Sequence, residues 1–574
     1  MTKQKELPWA FLDKWRGKTF TGEWPTIPEM FKITVERYPE RNCFTAFEPD
    51  RNTLTYKQVL ANVEKLSYWL YEQGIRAGDR VAVTGKNSPE WATVFLATHF
   101  CGGVIVPIDH GLHEHEVENL LNTAKPKIFF LDEEKYPYFS EHASDMKIMS
   151  LSKQFEDTYV YNLTASKTYE TDKAKETDLA AILFTSGTTG NPKGAMLTHR
   201  NLVSDCYIAQ LHLTILPTDV FYALLPIHHS YTMQAVFIET LSVGAEIVFA
   251  KSMAVTRMLK ELRDGKITML LGVPLLFNKL LAGIMKGIKE KGPIVYGLIR
   301  FLMGISYFIK KVFRVNPGKK MFGAILKKAS IDNLRIAICG GGPLAASVFR
   351  VYNEMGIDFI QGYGLTETSP IIALNPKEHF KIESVGRYFT PWMEMRIANP
   401  DENGIGEVQV KGPMVMQGYY NMPEETAAVF TDDGWFKTGD LGRLDSECYL
   451  YLAGRAKNMI VTEGGKNVFP EEIENAFQLF DDIEQITVQG YIMDEATKSE
   501  GIEALIYASD SAYTRLGAER GNADGDAKVK SCVEEIVAKV NKTEQPYARI
   551  SKITMLDKPL EMTTTKKVKR NYNN

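Results

Sequence analysis

Hydrophobic and polar positions alternate in short blocks between Ile27 and Asp132. Four blocks have the three-to-four-residue spacing of an amphipathic helix, and five short runs are rich in strand-forming residues. The predicted helices are Pro28–Tyr38, Lys57–Gln73, Ser88–Phe100 and His113–Thr123, and the predicted strands are Cys43–Phe47, Thr53–Tyr56, Arg80–Thr84, Gly103–Pro107 and Lys127–Leu131. Strands that alternate with helices of this length predict parallel pairing, with helices on both faces of the sheet.

The same rhythm returns at Asp178–Phe249 and Ile267–Ile360, and the pattern changes after residue 400. Val408–Lys411, Met414–Gln417 and Cys448–Leu452 are typical of antiparallel strands joined by turns. Beyond Ala453 we expect a compact α+β unit with helices at Pro470–Gln478 and Ala527–Val540, strands at Ile486–Ile492 and Glu503–Ala508, and a surface loop at Ser511–Asp526.

A basic, helical stretch from Leu281 to Lys328 interrupts the alternation, with eleven lysines and arginines against the single acid Glu290. A basic amphipathic segment can lie on a membrane surface, and it can equally be a helical hairpin that covers part of the protein. Both interpretations stay open. No run reaches the roughly 20 apolar residues of a membrane span, and the nearest candidate, Tyr296–Ile309, is short and carries Arg300.

Composition and charge narrow the class of protein. Of 574 residues, 44% are hydrophobic and 24% charged, which is typical of a globular chain, and the net charge of -4 gives no reason to expect nucleic acid as a partner. The six cysteines are far apart and show no metal-ligand spacing. Met1–Trp15 has no apolar core and is not a secretory signal. We therefore expect a cytoplasmic protein.

The strongest chemical signal is a loop that follows the predicted strand Ala180–Phe184. It runs from Thr185 to Gly194 and concentrates hydroxyl groups, three glycines and one lysine. Glycines let backbone N–H groups approach an anion, and hydroxyl and ammonium groups add donors, so the loop suits a polyphosphate. It is not a Walker A loop, because Pro192 precedes Lys193 and Gly194 follows it, and no G-x-S-x-G surrounds Ser186.

A second signal, Gln361–Thr368, follows the predicted strand Asp358–Ile360. Its Tyr363 can stack on a base, Thr366 can bond a phosphate oxygen, and Glu367 is a hard oxygen ligand suited to Mg²⁺. The Gly340–Pro343 cluster follows another predicted strand, and loops at the carboxyl ends of parallel strands meet in one crevice.

Weaker signals lie in three other parts of the chain. Asp440, in a Trp-Phe-Lys-Thr-Gly-Asp segment, can accept two hydrogen bonds from a ribose diol, and Arg455 can donate to the same group. His228 and His229 follow the apolar segment Leu225-Pro226-Ile227. The cluster His113–Glu116 lacks the HExxH spacing of a zinc site and is interpreted as a solvated helix start.

Taken in order, these motifs resemble the adenylate-forming superfamily, which includes acyl-CoA synthetases, luciferases and the adenylation domains of peptide synthetases. The resemblance runs from Leu54 to Lys567 and covers essentially the whole chain. It implies an α/β fold: a large N-terminal domain (1–456) of mostly parallel sheets flanked by helices with a small β-barrel-like part, and a small mobile α+β domain (457–574). It also implies a two-step reaction, in which a carboxylate attacks the α-phosphorus of ATP and a thiol then displaces AMP.

The resemblance assigns a role to each matching residue. The β- and γ-phosphates would be held by Thr185, Ser186, Gly187, Thr188, Thr189, Gly190 and Lys193. The adenine would stack on Tyr363, with Gly341, Gly342 and Gln361 at its edges, and Gly362 and Gly364 would also belong to the nucleotide site. Thr366 would touch the α-phosphate and Glu367 would bind Mg²⁺. Asp440 and Arg455 would hold the ribose.

The remaining assignments concern the acyl group, the thiol and the C-terminal domain. His229 matches the family histidine near the acyl pocket and the thiol entrance. The adenylation lysine aligns with Lys567, although Lys566 stands where many members have glycine, so Lys566 and Lys569 stay as lesser candidates. The domain hinge falls on Lys457, and the loop with Gly464 and Gly465 would line the thiol tunnel after rotation.

The phosphate-binding motifs do not indicate which carboxylic acid is the substrate. The basic insertion, the stretch Gly340–Leu344 and the Thr-Thr-Thr-Lys-Lys-Val-Lys-Arg tail resemble those of long-chain fatty acid synthetases, so a long-chain fatty acid–CoA ligase is the leading hypothesis. Transfer to an acyl carrier protein is the first alternative, with the insertion as a docking surface for an acidic partner. A non-catalytic nucleotide-binding protein is the alternative of another class. Weak contact with the inner face of a membrane through the insertion would suit a lipid substrate.

Overall fold

The computed structural model describes residues 7–143, 145–185, 192–461, 467–494 and 499–562. The strands are β1 (Asn42–Ala46), β2 (Asn52–Thr55), β3 (Arg80–Thr84), β4 (Val104–Ile108), β5 (Ile128–Leu131), β6 (Lys147–Ser150), β7 (Leu179–Thr185), β8 (Lys193–Thr198), β9 (Val220–Ala223), β10 (Glu246–Phe249), β11 (Met269–Gly272), β12 (Ile336–Cys339), β13 (Asp358–Gly364), β14 (Ile371–Leu374), β15 (Gly386–Tyr388), β16 (Glu394–Ala398), β17 (Gly406–Lys411), β18 (Gly418–Tyr419), β19 (Phe436–Leu444), β20 (Tyr449–Arg455), β21 (Ile460–Val461), β22 (Asn467–Val468), β23 (Ile483–Asp494), β24 (Ser499–Ala508) and β25 (Lys552–Met555).

Helices stand between most of these strands. They are α1 (Ile27–Arg37), α2 (Tyr56–Glu72), α3 (Pro89–Phe100), α4 (Glu114–Ala124), α5 (Tyr136–His142), α6 (His199–Ala209), α7 (Ser230–Thr232), α8 (Glu239–Val243), α9 (Val255–Asp264), α10 (Pro274–Lys289), α11 (Pro293–Phe313), α12 (Gly318–Met321), α13 (Gly323–Lys328), α14 (Ala346–Glu354), α15 (Pro423–Val429), α16 (Pro470–Ala476), α17 (Asp510–Arg515) and α18 (Ala523–Asn541). A π-helical segment, Met233–Ile238, joins α7 to α8.

The strands form two large sheets and two smaller ones. The first large sheet has the order β16-β17-β19-β20-β15-β14-β13-β12-β11-β9-β10-β1-β2, and the second has the order β18-β8-β7-β4-β3-β5-β6. In the first sheet the pairs from β1–β10 through β12–β13 are parallel, and pairing turns antiparallel from β13 to β16. This antiparallel half stands where a small barrel-like part was expected. The predicted α/β fold class is confirmed.

Local sequence explains where the helices begin. Thr26 and Glu29 form a reciprocal capping box at the start of α1, and Thr55 and Gln58 form another at the start of α2. Each pair supplies hydrogen-bond acceptors for backbone N–H groups that have no partner within the helix. His113 is the N-cap of α4, with Glu116 accepting from its backbone N–H at 2.8 Å. The predicted helix start at His113–Glu116 is therefore confirmed.

Two predicted elements were wrong. Met414–Gln417 is not a strand: Met414 and Met416 are buried, which explains the alternation, but the Met416 N–H donates to the carbonyl oxygen of Glu367 at 2.9 Å. The predicted loop Ser511–Asp526 contains α17 and the start of α18, because Ser509 and Asn522 cap these helices instead of forming turns.

The predicted strand Asp358–Ile360 is confirmed as the first part of β13, which continues past Ile360 to Gly364 and pairs with β14. A Cβ atom at Gly364 would lie 1.6 Å from the carbonyl oxygen of Pro370. The glycines on either side of Tyr363 therefore serve close strand pairing and do not form a turn. This pairing fixes Tyr363 in a sheet.

The basic stretch forms α10 to α13, a helical hairpin followed by two short helices. Among the described residues, α11 is long enough and apolar enough to cross a membrane by length and composition alone. It is longer than the Tyr296–Ile309 segment recognised in the sequence. Its buried side chains, Met303, Ser306 and Lys310, contact the α/β core.

The last part of the chain packs as a small α+β unit. Strands β23, β24 and β25 form one sheet, with β23–β24 antiparallel and β24–β25 parallel. Buried residues of α18, such as Val533 and Ile536, cover it. The boundary at residue 456 stays a prediction. In the structure, a short 3₁₀ helix, Ala456–Asn458, follows β20 there.

Candidate active site

A cleft of about 3210 Å³ separates the large α/β part from the C-terminal α+β unit. Every predicted site residue that the structure describes lies on its wall. These are Thr185, Lys193, His229, Gly341, Gly342, Gln361, Gly362, Tyr363, Gly364, Thr366, Glu367, Asp440, Arg455 and Lys457. Ser186, Gly187, Thr188, Thr189, Gly190, Gly464, Gly465 and Lys567 lie outside the described residues. Motifs that are far apart in the sequence thus meet at one cleft.

The two ends of the predicted phosphate loop are held by a hairpin of β7 and β8. Thr185 and Lys193 are register partners, and the Thr185 hydroxyl donates to the Lys193 carbonyl oxygen at 3.3 Å. The Lys193 ammonium lies 5.2 Å from the centre of the Tyr419 ring, within the range of a cation–π contact. The hairpin therefore presents one cation and the ends of a glycine-rich loop to the cleft.

Tyr363, Asp440 and Arg455 form a connected group. The Tyr363 hydroxyl donates to Asp440 Oδ2 at 2.6 Å, and Arg455 Nε lies 3.0 Å from Asp440 Oδ1. Asp440 and Arg455 are opposite each other on β19 and β20. Burial, reinforced by Asp440, raises the pKa of Tyr363, and Asp440 raises the pKa of Arg455. The Asp440 carboxyl group thus lies between two donors, which suits the recognition of a ribose diol beside an aromatic base.

Thr366 and Glu367 lie in a 3₁₀ turn after β13, and each is positioned by a residue that sequence reasoning missed. Ser230 Oγ lies 3.0 Å from Thr366 Oγ1, and the Tyr419 hydroxyl donates to Glu367 Oε1 at 2.9 Å. Ser230 follows the histidine pair, but nothing in the local sequence connects Tyr419 to a position 52 residues away. That link exists only because β18 pairs with β8.

Steric crowding and backbone conformation explain why glycines follow β12. A Cβ atom at Gly340 would lie 3.0 Å from the Tyr231 ring, whose hydroxyl donates to the Ile338 carbonyl oxygen at 3.1 Å. Gly341 has a φ of +77°, a left-handed conformation that favours glycine. The cluster therefore brings bare backbone to the cleft wall beside Tyr231.

The histidine pair has two different environments. His229 caps α7, and its Nδ1 accepts the Tyr231 N–H at 3.3 Å. His228 Nε2 lies 3.5 Å from Asp109 Oδ1, and His110 completes a group of three close potential metal ligands that the sequence did not reveal. Burial and the neighbouring His228 lower the pKa of His110. A neutral His110 is therefore expected at neutral pH.

The C-terminal unit contacts the glycine cluster through Gln478. Its Nε2 donates to the Pro343 carbonyl oxygen at 2.9 Å, and its Oε1 accepts the Ala345 N–H at 3.2 Å. The last described residues, Glu561 and Met562, also line the cleft, and Met562 stands five positions before Lys567 in the sequence. The predicted hinge residue Lys457 is exposed beside the cleft.

The residues present fit a nucleotide and a divalent cation. Lys193 and Arg455 supply cations, and bare backbone at Gly341 allows close approach of a flat ring. Glu367 is half-buried on the wall, with one oxygen oriented by Tyr419, which suits a Mg²⁺ ligand next to phosphates. Together these groups can hold a triphosphate, a ribose and a base in one extended site.

The fold and this cleft define an adenylate-forming enzyme. The sequence profile of the AMP-binding enzyme family matches residues 31–420, more than half of the chain, and the chain belongs to that family. It is an ATP-binding enzyme of the AMP-forming acid–CoA ligase type.

Three similar proteins illustrate the range of the family. A feruloyl-CoA synthase of Amycolatopsis sp is 27% identical over 464 residues, covering 78% of this chain and 82% of the relative. A long-chain-fatty-acid–CoA ligase of Bacillus subtilis is 26% identical over 537 residues, covering 85% and 86%. The crystal structure of ATP-bound MatB from Rhodopseudomonas palustris superposes with a TM-score of 0.74 at 26% identity, covering 95% and 97%.

Proposed function

We propose that this protein activates a long-chain fatty acid with ATP and transfers the acyl group to CoA. The observation that carries the proposal is a group of apolar side chains that line the cleft in addition to the nucleotide residues. They are Ala235, Leu271, Leu281, Met285, Val348 and Val351. Residues of the insertion helices α10 and α11 line the same cleft. Apolar lining of this kind suits an alkyl chain.

In the first step, a carboxylate oxygen attacks the α-phosphorus of ATP, and the bond from that phosphorus to the oxygen bridging to the β-phosphorus breaks. Pyrophosphate leaves with the electron pair. Lys193 and the loop after Thr185 bind the departing phosphates, and Thr366, positioned by Ser230, donates to the α-phosphate. Mg²⁺ held by Glu367 would neutralise part of the phosphate charge. The contribution of the protein is positioning and charge stabilisation.

In the second step, the CoA thiolate attacks the acyl carbonyl carbon and AMP leaves. Tyr363, Asp440 and Arg455 keep hold of the adenosine, so the leaving group stays in place while the thiol approaches. The C-terminal unit supplies Lys567 for the first step. Rotation about Lys457 then brings the loop of Gly464 and Gly465 to the thiol path. One nucleotide site thereby serves two reactions.

The experiment is exchange of labelled pyrophosphate into ATP over a panel of acids. We expect exchange with saturated fatty acids, rising with chain length, and little with ferulate or malonate. Exchange with ferulate alone would keep adenylation and overturn the fatty acid assignment. No exchange with any acid would leave a non-catalytic nucleotide-binding protein. The acceptor is then identified by supplying CoA and a phosphopantetheinylated carrier protein in separate reactions. Product formation with the carrier protein alone would overturn the assignment of CoA as the acceptor.

A further inference from the structure

One face of α11 carries a continuous row of exposed apolar side chains, here called the α11 apolar stripe. Its members are Ile294, Leu298, Phe301, Ile305, Phe308 and Val312. The spacing alternates between four and three residues, so all six lie on one side of the helix. Each is between 37% and 86% exposed. A patch of this kind on a soluble surface marks a contact site and is not expected by chance.

The opposite face of α11 is bound firmly to the protein. Lys310 Nζ lies 2.8 Å from Asp358 Oδ1 and donates to Asn353 Oδ1 at 2.8 Å. Arg300 pairs with Glu354 at 3.4 Å. Lys310 and Glu354 are buried. A helix that crossed a bilayer would have to give up these charged contacts, so α11 lies along the α/β core with its stripe facing outward.

The ends of the stripe are basic. Lys289 and Lys291 are exposed just before α11, and Lys311 and Arg314 are exposed at its end. Between Leu281 and Lys328 the chain has eleven basic residues and one acidic residue. An apolar row between clusters of lysine and arginine matches the boundary between acyl chains and anionic headgroups.

We propose that the α11 apolar stripe docks on an anionic lipid surface, with α11 parallel to the plane of the membrane. Charge complementarity selects this occupant over a second copy of the chain. Because both ends of α11 are basic, parallel and antiparallel pairing of two stripes would each bring like charges together. An acidic carrier protein would be complementary in charge to the lysines and arginines. Its binding would not explain why six apolar side chains are exposed on the same helix.

Docking would place the cleft beside the lipid. Met285 and Lys289 on α10, and Tyr296 and Arg300 on α11, line the same cleft as the nucleotide residues. An acid dissolved in the membrane would then reach the cleft without crossing water. This consequence rests on the proposed fatty acid activity, whereas the docking itself does not.

The docking is tested without substrate, by sedimentation of the full chain with vesicles of phosphatidylcholine alone or mixed with phosphatidylglycerol. We expect binding to the mixed vesicles that weakens in high salt. The triple variant Leu298→Gln, Phe301→Gln, Phe308→Gln should lower the partition coefficient roughly ten-fold or more. The matched control changes three exposed apolar residues elsewhere, Leu216→Gln, Val255→Gln and Ile492→Gln, and should bind like the unmodified protein.

A second variant separates charge from apolar contact. Lys289→Glu, Lys291→Glu and Lys311→Glu together should abolish the preference for phosphatidylglycerol. In a complementary measurement, Phe308→Trp should show a blue-shifted emission with the mixed vesicles, and Val255→Trp should not. Circular dichroism and thermal unfolding establish that each variant is folded.

Four outcomes would overturn the proposal. The first is equal vesicle binding by the stripe variant and its control, and the second is retention of the protein on vesicles in roughly 1 M salt, as a spanning helix would give. The third is a dimer that the stripe variant abolishes, in a protein that does not bind vesicles. The fourth is binding to a carrier protein without binding to vesicles. Failure of the fatty acid assignment is recognised separately, because pyrophosphate exchange with octanoate in solution does not require the stripe. The stripe variant should keep that exchange and lose only the use of acids embedded in vesicles.

Discussion

The hydroxyl of Tyr419 donates a 2.9 Å hydrogen bond to Oε1 of Glu367. Tyr419 belongs to β18, which pairs with β8, and β8 begins at Lys193 of the phosphate loop. The carboxylate proposed to hold Mg²⁺ and the lysine proposed to hold phosphate are therefore fixed to the same pair of strands. Their spacing is set before the nucleotide arrives.

Tyr419→Phe removes this hydrogen bond and keeps the aromatic ring under Lys193. We expect the rate of pyrophosphate exchange to fall roughly ten-fold, because a hydrogen bond to a charged group is lost. The Mg²⁺ concentration at half-maximal rate should rise. Tyr420→Phe, at the next position, is the control and should leave both quantities unchanged. Equal effects of the two substitutions would contradict the positioning role.

Asp440→Asn tests the group formed by Tyr363, Asp440 and Arg455. The amide keeps the shape of the side chain but loses the charge that pairs with Arg455 at 3.0 Å. We expect the Kd for ATP, measured by calorimetry, to rise by roughly 10- to 100-fold. Asp433→Asn breaks an exposed pair with Arg396 and should leave the Kd unchanged. A Kd for Asp440→Asn equal to that of the unmodified protein would remove Asp440 from the ribose site.

The local motifs predicted which residues would line the cleft. Thr185 and Glu367 were identified because a polyphosphate with Mg²⁺ needs hydroxyl groups and a carboxylate at the ends of strands, and such residues can be recognised within a few positions of sequence. Parallel pairing was also predictable, since helices and strands alternate.

The contacts that orient these residues were not predictable. Tyr419 reaches Glu367, and Gln478 reaches Pro343, only through the pairing of distant strands and the docking of the C-terminal unit. The periodicity of α11 was visible in the sequence. Which of its faces the core covers depends on Lys310 meeting Asp358, and no local pattern contains that information.

A buried carboxyl group gives the protein a pH-dependent stability. Burial raises the pKa of Glu239 to about 8, above its ordinary value of 4.5, and Gln210 Nε2 donates to its Oε1 at 2.8 Å. The folded state therefore binds the Glu239 proton more tightly than the unfolded state. This stabilisation is fully present below pH 4.5 and is lost as the pH rises through about 8.

Glu239→Gln should remove that loss. Compared with the unmodified protein, the variant should have a similar or lower free energy of unfolding at low pH and a higher one above pH 8, by an amount on the order of a few kcal/mol. Denaturant unfolding across the pH range measures the difference. Asp205, whose pKa burial also raises, is present in both proteins and cancels in the comparison. Glu424→Gln, at an exposed position, is the control, and a constant difference across the pH range would contradict the assignment.

Gln478→Ala removes the contact between the C-terminal unit and the glycine cluster. We expect one of the two half-reactions, the one that takes place with the C-terminal unit in this position, to slow several-fold. The reason is that the Gln478 hydrogen bonds to Pro343, Ala345 and Asn278 are lost. The other half-reaction should be spared. Pyrophosphate exchange and thioester formation from supplied acyl-adenylate measure the two steps separately. Gln489→Ala, which breaks a contact with Glu503 inside the C-terminal unit, is the control. Equal loss of both half-reactions would show a general folding defect.

Lys567→Ala tests the alignment of the C-terminal tail. A lysine between the carboxylate and the α-phosphate stabilises charge that develops only during adenylation, so its loss should lower pyrophosphate exchange by roughly 100-fold or more. Thioester formation from supplied acyl-adenylate should continue, because the α-phosphate bond to pyrophosphate is already broken. Lys566→Ala and Lys569→Ala are matched controls in the same tail. If either of them abolishes exchange while Lys567→Ala does not, the alignment of the tail with the family motif is off by that many positions. The adenylation lysine is then the one whose substitution abolishes exchange. The C-terminal unit would still be the source of that lysine, since Glu561 and Met562 already line the cleft.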